Sequence, residues 1–232
     1  MPKPALADMA RVEQPTAVVF DMDGTLLDSE RLARRCFVEA CTDVGWHDVD
    51  LSVYNRCVGS TGDTTERILR SSFGPSFDFA AVRARWSARY DEALDAAPVP
   101  LLDGVAELLQ QLRDMGVPMA VATSSRRPVV EKKLSGSDIA KYFEFLICGG
   151  ETDQGKPHPH PYLSAVTQLE VSAGHCWAVE DSDNGVRSAT AAGLKVFQIP
   201  DEIAPSEEVL ALGHEVLPSA RALLLRLQSD SG

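Results

Sequence analysis

The stretch Ala17-Val18-Val19-Phe20-Asp21-Met22-Asp23-Gly24-Thr25 joins a short apolar run directly to two aspartates. A continuous apolar run of this length is typical of a strand that is buried on both faces, as in a parallel sheet. Gly24 allows the chain to bend sharply behind the strand. Because Asp21 and Asp23 are two positions apart, both carboxylates can turn toward one site. The stretch therefore predicts a buried strand that ends in a pair of carboxylates.

Short apolar runs of the same kind recur downstream. They lie at residues 119–123, 145–147, 176–179 and 196–199. Helical patterns separate them: residues 105–112 have apolar positions at helical spacing before Gly116, and residues 185–192 are rich in small side chains before Gly193. Strands that alternate with helices indicate βαβ units. We therefore expect an α/β fold with a doubly wound parallel sheet, in which ligands bind beyond the carboxyl ends of the strands.

One segment breaks this alternation. Residues 30–98 show helical patterns with little strand signal, and they separate the first two strands by about a hundred residues, far more than one crossover helix needs. The predicted organisation is an inserted α-helical domain at 30–98 and a core domain formed by 15–29 and 99–232. Residues 1–14 mix prolines with charges, and we expect them to form a flexible tail.

The composition restricts the classes of function. The 232 residues have a formal net charge of -12, which disfavours nucleic-acid partners and requires any phosphate site to supply its own cations. The five cysteines contain no C-x-x-C pair, which argues against a zinc site or a disulfide framework and fits a reducing cytosol. No apolar run is long enough to span a membrane, and the N-terminus has no apolar signal core. We expect a cytoplasmic protein without membrane partners.

Polar residues that could bind phosphate or a metal ion follow three other predicted strands. Thr123 and Ser124 offer a hydroxyl and an amide that can hold phosphate oxygens. Lys156, fixed between a glycine and a proline, offers a positioned ammonium, and Glu180 with Asp181 offers carboxylates for a metal ion. Taken alone, each group has an ordinary alternative as a helix cap, a solvated lysine or an acidic turn. Their occurrence together at strand ends favours phosphoryl chemistry.

With the aspartate pair, these residues resemble the four motifs of the haloacid dehalogenase superfamily, over roughly residues 16–200. The branch with a helical cap inserted after the first motif is the most similar; it includes phosphoglycolate phosphatase-like enzymes and β-phosphoglucomutase. The resemblance implies a Rossmann-like core with the sheet order third, second, first, fourth, fifth strand. It also implies a small phosphorylated metabolite as substrate.

The resemblance also implies roles for the two aspartates. Asp21 resembles the nucleophile that forms an aspartyl-phosphate. Asp23 resembles the general acid and base, and a metal ligand through its backbone carbonyl. On this basis Asp21 attacks phosphorus in line while Asp23 protonates the leaving alcohol and later deprotonates water.

The remaining roles concern binding. Thr123 matches the phosphate-binding hydroxyl, with the amide of Ser124 beside it, and Lys156 matches the lysine that steadies the nucleophile and the phosphate. Asp181 matches the acidic magnesium ligand, and Glu180 matches either a ligand or a carboxylate behind the ligands. The implied set of Mg²⁺ ligands is Asp21, Asp23, Asp181 and Glu180.

Two segments leave alternatives open. Gly59, Ser60 and Thr61 match the substrate-selecting loop of the cap, or they form a simple turn between helices. Residues 58–63 contain no lysine or arginine, whereas a mutase of this type presents a basic residue there, so the segment favours hydrolysis. His160 stands where the family often has an acidic residue; a metal site with His158 lacks an evident third ligand, and a position near the rim of the site is the alternative.

The sequence therefore predicts a Mg²⁺-dependent phosphatase that hydrolyses a small phosphorylated metabolite through an aspartyl-phosphate. A β-phosphoglucomutase-like sugar phosphomutase and a catalytically weak regulatory binding protein are the alternatives. Release of free phosphate from a sugar phosphate distinguishes a phosphatase from a phosphomutase. We expect a monomer or a weak homo-oligomer.

Overall fold

The computed structural model describes residues 14–58 and 62–228. Within these ranges the strands form one six-stranded sheet in the order β3-β2-β1-β4-β5-β6, and every pairing is parallel. The strands are β1 Ala17–Phe20, β2 Met119–Ala122, β3 Phe145–Ile147, β4 Cys176–Glu180, β5 Lys195–Gln198 and β6 Glu215–Val216. The fold class and the order of the first five strands are confirmed. The sixth strand was not predicted, because its two residues form no apolar run.

Helices connect the strands. The α-helices of the described ranges are α1 Ser29–Asp43, α2 Leu51–Asn55, α3 Gly62–Phe73, α4 Phe79–Ala96, α5 Val105–Asp114, α6 Arg127–Gly136, α7 His160–Gln168, α8 Asp183–Ala191, α9 Glu207–Leu210 and α10 Ala220–Gln228. None of these helices is long and apolar enough to cross a membrane.

Both faces of the sheet are covered, and β1 shows how. Val18 and Phe20 belong to the apolar cluster shared with helices α5, α6 and α10, whereas Ala17 and Val19 belong to the cluster shared with α7 and α8. All four side chains are almost completely buried. Since successive side chains of a strand point to opposite faces, a strand covered by helices on both sides must be apolar throughout. This is why β1 reads as an uninterrupted apolar run.

Helices α1–α4, which we call the insertion, lie between β1 and β2 in the chain and have an apolar cluster of their own. Phe37, Tyr54 and Trp86 are in mutual ring contact there, with centroid separations of 5.0 to 5.9 Å. The assignment of residues 30–98 to a separate domain stays a prediction. So does the tail at 1–14, of which all but one residue lies outside the described ranges.

Candidate active site

The predicted site residues that follow β1, β2 and β4 meet at the carboxyl edge of the sheet. Strand β1 pairs with β2 on one side and with β4 on the other, so its end at Asp21 lies between Thr123 and Asp181, which follow those strands. The backbone N–H of Asp21 donates to the carbonyl of Val179 at 2.9 Å and extends the pairing to β4 by one residue. The topology therefore brings strand ends together that are more than 50 residues apart in the chain.

The turn after β1 depends on Gly24. Its φ of +79° lies in the left-handed region, where a side chain would be strained. A Cβ atom at this position would also lie 2.5 Å from Oδ2 of Asp181. The glycine therefore allows the turn to approach the carboxylate that follows β4.

Lys156 lies at the centre of the site. Its Nζ atom is 2.6 Å from Oδ1 of Asp21 and 2.5 Å from Oε1 of Glu180, and its side chain is only 5% exposed. Burial would lower the pKa of this lysine, but the carboxylates of Asp21 and Glu180 outweigh burial and raise it. The ammonium therefore stays charged and joins the candidate nucleophile to the end of β4.

Glu180 is fully buried, and both of its carboxylate oxygens have protein partners. Oε1 also accepts from the Tyr162 hydroxyl at 2.6 Å, and Oε2 accepts from the backbone N–H of Asp181 at 3.2 Å. Helix α8 makes room for this carboxylate at Gly185, where a Cβ atom would overlap it. Of the two roles that the sequence left open, these contacts favour a carboxylate that positions Lys156.

Three carboxylates form an acidic cluster that fits a divalent cation. Asp21, Glu180 and Asp181 each offer an oxygen, and these atoms lie within 4.8 Å of one another. Burial raises the pKa of Asp21 to about 8, with Glu180 and Asp23 adding to the effect and Lys156 opposing it. Burial, followed by Asp21 and Glu180, raises the pKa of Asp181 well above its ordinary value. One ammonium does not neutralise a cluster of three carboxylates, two of which belong to buried residues, and oxygen ligands are the ones that Mg²⁺ prefers.

The side chain of Asp23 turns away from this cluster. Its Oδ1 accepts from the Ser29 hydroxyl at 2.5 Å and from Nζ of Lys133 at 2.6 Å, and its Oδ2 accepts from the Ser125 hydroxyl at 2.6 Å. Burial would raise the pKa of Asp23, but Lys133 and the two hydroxyls outweigh burial and lower it. The carboxylate is thus outside the acidic cluster, and the role of its backbone carbonyl as a metal ligand stays a prediction.

The two phosphate-binding candidates lie at the end of β2. Thr123 is buried and its Oγ1 accepts from the backbone N–H of Ser125 at 3.1 Å, whereas Ser124 is exposed. Gly149 permits a close contact here, because a Cβ atom at this position would lie 2.1 Å from the carbonyl oxygen of Ser124. Both candidates stay predictions as phosphate ligands.

The remaining sequence-derived candidates are the loop at residues 59–61 and two histidines. Gly59, Ser60 and Thr61 lie outside the described residues. His160 begins helix α7, and His158 accepts from the Ser188 hydroxyl through its backbone carbonyl at 2.5 Å. Neither histidine belongs to the one group of potential metal ligands found among residues 14–58 and 62–228.

Sequence reasoning missed four polar residues of the site: Ser29, Ser125, Lys133 and Tyr162. A signal for Lys133 was present, since it shares one helical face with Val130 and Leu134 at the spacing of buried positions. A lysine on an apolar helical face requires a buried partner. No comparable local signal identified Tyr162, which lies inside helix α7.

A cavity of about 630 Å³ adjoins the acidic cluster and separates the insertion from the sheet edge. The insertion contributes Glu30, and the segment that follows α2 contributes Arg56. The opposite wall includes Asp181, Asn184 and Glu202. The volume suits a small metabolite, and its position beside Asp181 places such a molecule next to the carboxylates.

The comparison with known proteins agrees with this geometry. Residues 18–199 match the family described as haloacid dehalogenase-like hydrolase. The protein CbbY of Rhodobacter capsulatus is 32% identical over 203 residues, which cover 84% of this chain and 89% of that protein. A phosphoglycolate phosphatase of Pectobacterium atrosepticum is 32% identical over 191 residues, which cover 81% of each.

A solved structure shows the same architecture. The crystal structure of CbbY from Rhodobacter sphaeroides in complex with phosphate superposes with a TM-score of 0.75 at 29% identity. The match covers 93% of this chain and 100% of that one. The similarity therefore extends over both the sheet and the insertion.

Proposed function

The chain belongs to the haloacid dehalogenase-like hydrolases, and from this premise we propose that it is a Mg²⁺-dependent phosphatase that hydrolyses a small phosphate ester through a phosphorylated Asp21. The observation that supports this most strongly is the buried contact of 2.6 Å between Lys156 and Asp21 beside the carboxylate of Asp181. Lys156 opposes the effect of burial on the pKa of Asp21, and a cation bound beside Asp181 would further favour the ionised carboxylate that a nucleophile requires.

Phosphoryl transfer to the chain begins at Asp21. A carboxylate oxygen of Asp21 attacks phosphorus, a P–O bond to aspartate forms, and the P–O bond to the alcohol breaks. Lys156 offsets the negative charge of the approaching phosphate, and Thr123 with the amide of Ser124 binds its oxygens. When bound by Asp21, Asp181 and the backbone carbonyl of Asp23, Mg²⁺ supplies further neutralisation of the phosphoryl charge.

Asp23 moves the protons. The negative charge of a bound phosphate opposes the lowering of the Asp23 pKa and favours the protonated form, which donates a proton to the oxygen of the leaving alcohol. Asp23 then takes a proton from a water molecule that attacks the phosphorylated Asp21, so that inorganic phosphate leaves and the carboxylate of Asp21 is restored. The insertion covers the cavity during these steps, and we propose that residues 30–98 act as a cap that excludes bulk water.

Removal of divalent cations tests the proposal. In EDTA the rate of phosphate release by the purified protein is expected to fall about 100-fold, because the charge of the acidic cluster and of the phosphate is then left to Lys156 alone. Added Mg²⁺ should restore activity, whereas Ca²⁺ should inhibit, since it takes more ligands at longer distances and can occupy both oxygens of Asp21. The measurement is inorganic phosphate release with p-nitrophenyl phosphate and with sugar phosphates.

Two results would contradict the proposal. Full activity in EDTA would show that the acidic cluster needs no metal ion. Conversion of a sugar phosphate to an isomer without release of free phosphate would identify a mutase.

The charge of the cavity predicts a preference among substrates. Glu30 and Glu202 line it, and its cation Arg56 donates from Nη2 to the Ser72 hydroxyl at 2.7 Å. Burial, followed by the charge of Asp23, raises the pKa of Glu30 to about 7, so this carboxyl can donate or accept a hydrogen bond near neutral pH. A second anionic group on the leaving alcohol would face these carboxylates, whereas neutral hydroxyls can bond to them.

We therefore expect kcat/KM to be about tenfold higher for a polyol or sugar monophosphate than for an ester with a carboxylate or a second phosphate. The variant Glu30→Gln tests the cause of this preference. It keeps the size of the side chain and should reduce the preference. A preference for the anionic esters that Glu30→Gln leaves unchanged would contradict the prediction.

A further inference from the structure

A fully buried glutamine lies beside the acidic cluster. Gln198 is the last residue of β5, and its register partner is Glu180 at the end of β4. Gln198 is completely buried. A buried amide is unfavourable unless both its nitrogen and its oxygen have hydrogen-bond partners, so the partners of Gln198 determine where its side chain points.

The two partners of this amide are the main chain of Asp181 and the ring of His214. Nε2 of Gln198 donates to the carbonyl oxygen of Asp181 at 2.9 Å, and Oε1 lies 2.6 Å from Nε2 of His214. A carbonyl oxygen can only accept, so the amide nitrogen must face Asp181, and Nε2 of His214 must carry the proton that Oε1 accepts. The amide is therefore held at both ends.

Asp181 needs such a partner because it lies one residue beyond β4. The N–H of Ile199 donates to the carbonyl of Glu180 at 2.7 Å, and Pro200, the next residue of the chain, has no N–H to donate. The side chain of Gln198 instead bonds to the carbonyl of Asp181, whose own N–H donates to Oε2 of Glu180 at 3.2 Å. Side chains thus hold both the N–H and the carbonyl of Asp181.

We infer that Gln198 is a positioning residue, which fixes the main chain at Asp181 and thereby keeps the carboxylate of this residue close to that of Asp21. This role rests on the proposed function, in which Asp181 binds Mg²⁺. Metal affinity depends on ligands that are already in place, and loss of a group that orients a ligand typically weakens binding about 10- to 100-fold. Gln198 does not belong to the acidic cluster, so it would act through Asp181.

A second glutamine provides a matched control. Gln110, in helix α5, also has a partner at each end of its amide: Nε2 donates to Oδ1 of Asp114 at 2.6 Å, and Oε1 accepts from the Tyr142 hydroxyl at 3.1 Å. These partners lie outside the acidic cluster. Gln110→Met thus removes an amide with two partners and leaves the main chain of Asp181 untouched.

The test compares the Mg²⁺ affinity of Gln198→Met, Gln110→Met and the wild type. Methionine has nearly the length of glutamine and fits a buried site, but it cannot donate to the Asp181 carbonyl. The dissociation constant is measured by isothermal titration calorimetry at one pH, without substrate. In Gln198→Met the Kd for Mg²⁺ should rise at least about tenfold, and in Gln110→Met it should stay within about twofold of the wild type.

Turnover as a function of Mg²⁺ concentration distinguishes positioning from a general loss of packing. In Gln198→Met the Mg²⁺ concentration that gives half of the maximal phosphate release should rise in parallel with the Kd. At saturating Mg²⁺ the kcat should return to within about threefold of the wild type, because every group that contacts the substrate is still present. A disturbed site would lose kcat at all Mg²⁺ concentrations.

The results separate this inference from the proposed function. Wild-type protein that binds no Mg²⁺ would overturn the proposed function and the inference with it. If the wild type binds Mg²⁺, an unchanged Kd in Gln198→Met, or a tenfold loss of kcat at saturating Mg²⁺, would overturn the inference alone. An equal rise of the Kd in Gln110→Met would do the same.

His214→Phe serves if Gln198→Met does not fold. His214 is only half-buried, and its replacement leaves Gln198 in place while it removes the N–H that holds Oε1. The amide can then turn away from the Asp181 carbonyl, and the Kd for Mg²⁺ should rise at least about threefold. An unchanged Kd in folded His214→Phe, with a urea midpoint in EDTA close to that of the wild type, would overturn the inference.

Discussion

Replacement of Asp21 by asparagine is expected to lower turnover of every phosphate ester by at least about 10⁴-fold, the scale seen when a nucleophile is removed from a group of residues that act as a unit. The amide has the size of the carboxylate, and its oxygen can still accept from Lys156. It lacks the negative charge that makes an oxygen of Asp21 nucleophilic. The variant should also bind no phosphoryl group covalently.

The fold of Asp21→Asn should be kept, because the change removes one of three clustered carboxylates and with it part of their mutual repulsion. The measurements are phosphate release, phosphoprotein formation in a quenched first turnover, and the urea midpoint. Mass spectrometry must exclude deamidation, which would regenerate aspartate.

Asp103→Asn is the matched control for this substitution. Asp103 is exposed, and its carboxylate is 3.3 Å from Nη2 of Arg221. A surface pair of this kind has a small effect on stability, so activity should remain at the wild-type level. Turnover by Asp21→Asn above about 1% of wild type, in folded protein free of deamidation, would contradict a nucleophilic role.

The strands could be predicted because burial on both faces leaves a strong local signal. Val18 and Phe20 point to one layer of helices, and Ala17 and Val19 point to the other, so no polar residue fits in β1. The order of the first five strands was predicted from the resemblance to the haloacid dehalogenase superfamily. The short strand Glu215–Val216 was beyond prediction, because a half-exposed pair of residues has no apolar pattern and is defined by its neighbour β5.

Only the site residues that lie at strand ends could be predicted from the sequence. Parallel strands end at one edge of a sheet, so Asp21 and Asp181 were expected to lie close together, and they do. Lys133 and Tyr162 lie on helices, and their contacts with the site depend on how each helix packs on the sheet. The partners of Glu180, Tyr162 and Lys156, likewise depend on tertiary packing, which is why the sequence left its role open.

Lys156→Met is expected to affect both activity and stability. The variant should lose activity about 10³-fold, because the ammonium that offsets the charge of the phosphate in the transition state is gone. In EDTA it should also lose about 3–5 kcal/mol of unfolding free energy, the cost of leaving buried carboxylates without their cation. Lys141→Met is the control, since Lys141 is an exposed lysine paired with an exposed Asp138.

Mg²⁺ should distinguish this electrostatic effect from a loss of packing. The ion binds the folded protein, and it supplies positive charge to the same carboxylates that Lys156 contacts. Saturating Mg²⁺ should therefore raise the urea midpoint of Lys156→Met more than that of the wild type. The double variant Lys156→Met, Glu180→Gln should recover part of the stability in EDTA, because it removes the fully buried carboxylate that the first change leaves unpaired. Equal stability of Lys156→Met and Lys141→Met in EDTA would show that Lys156 does not balance the charge of the cluster.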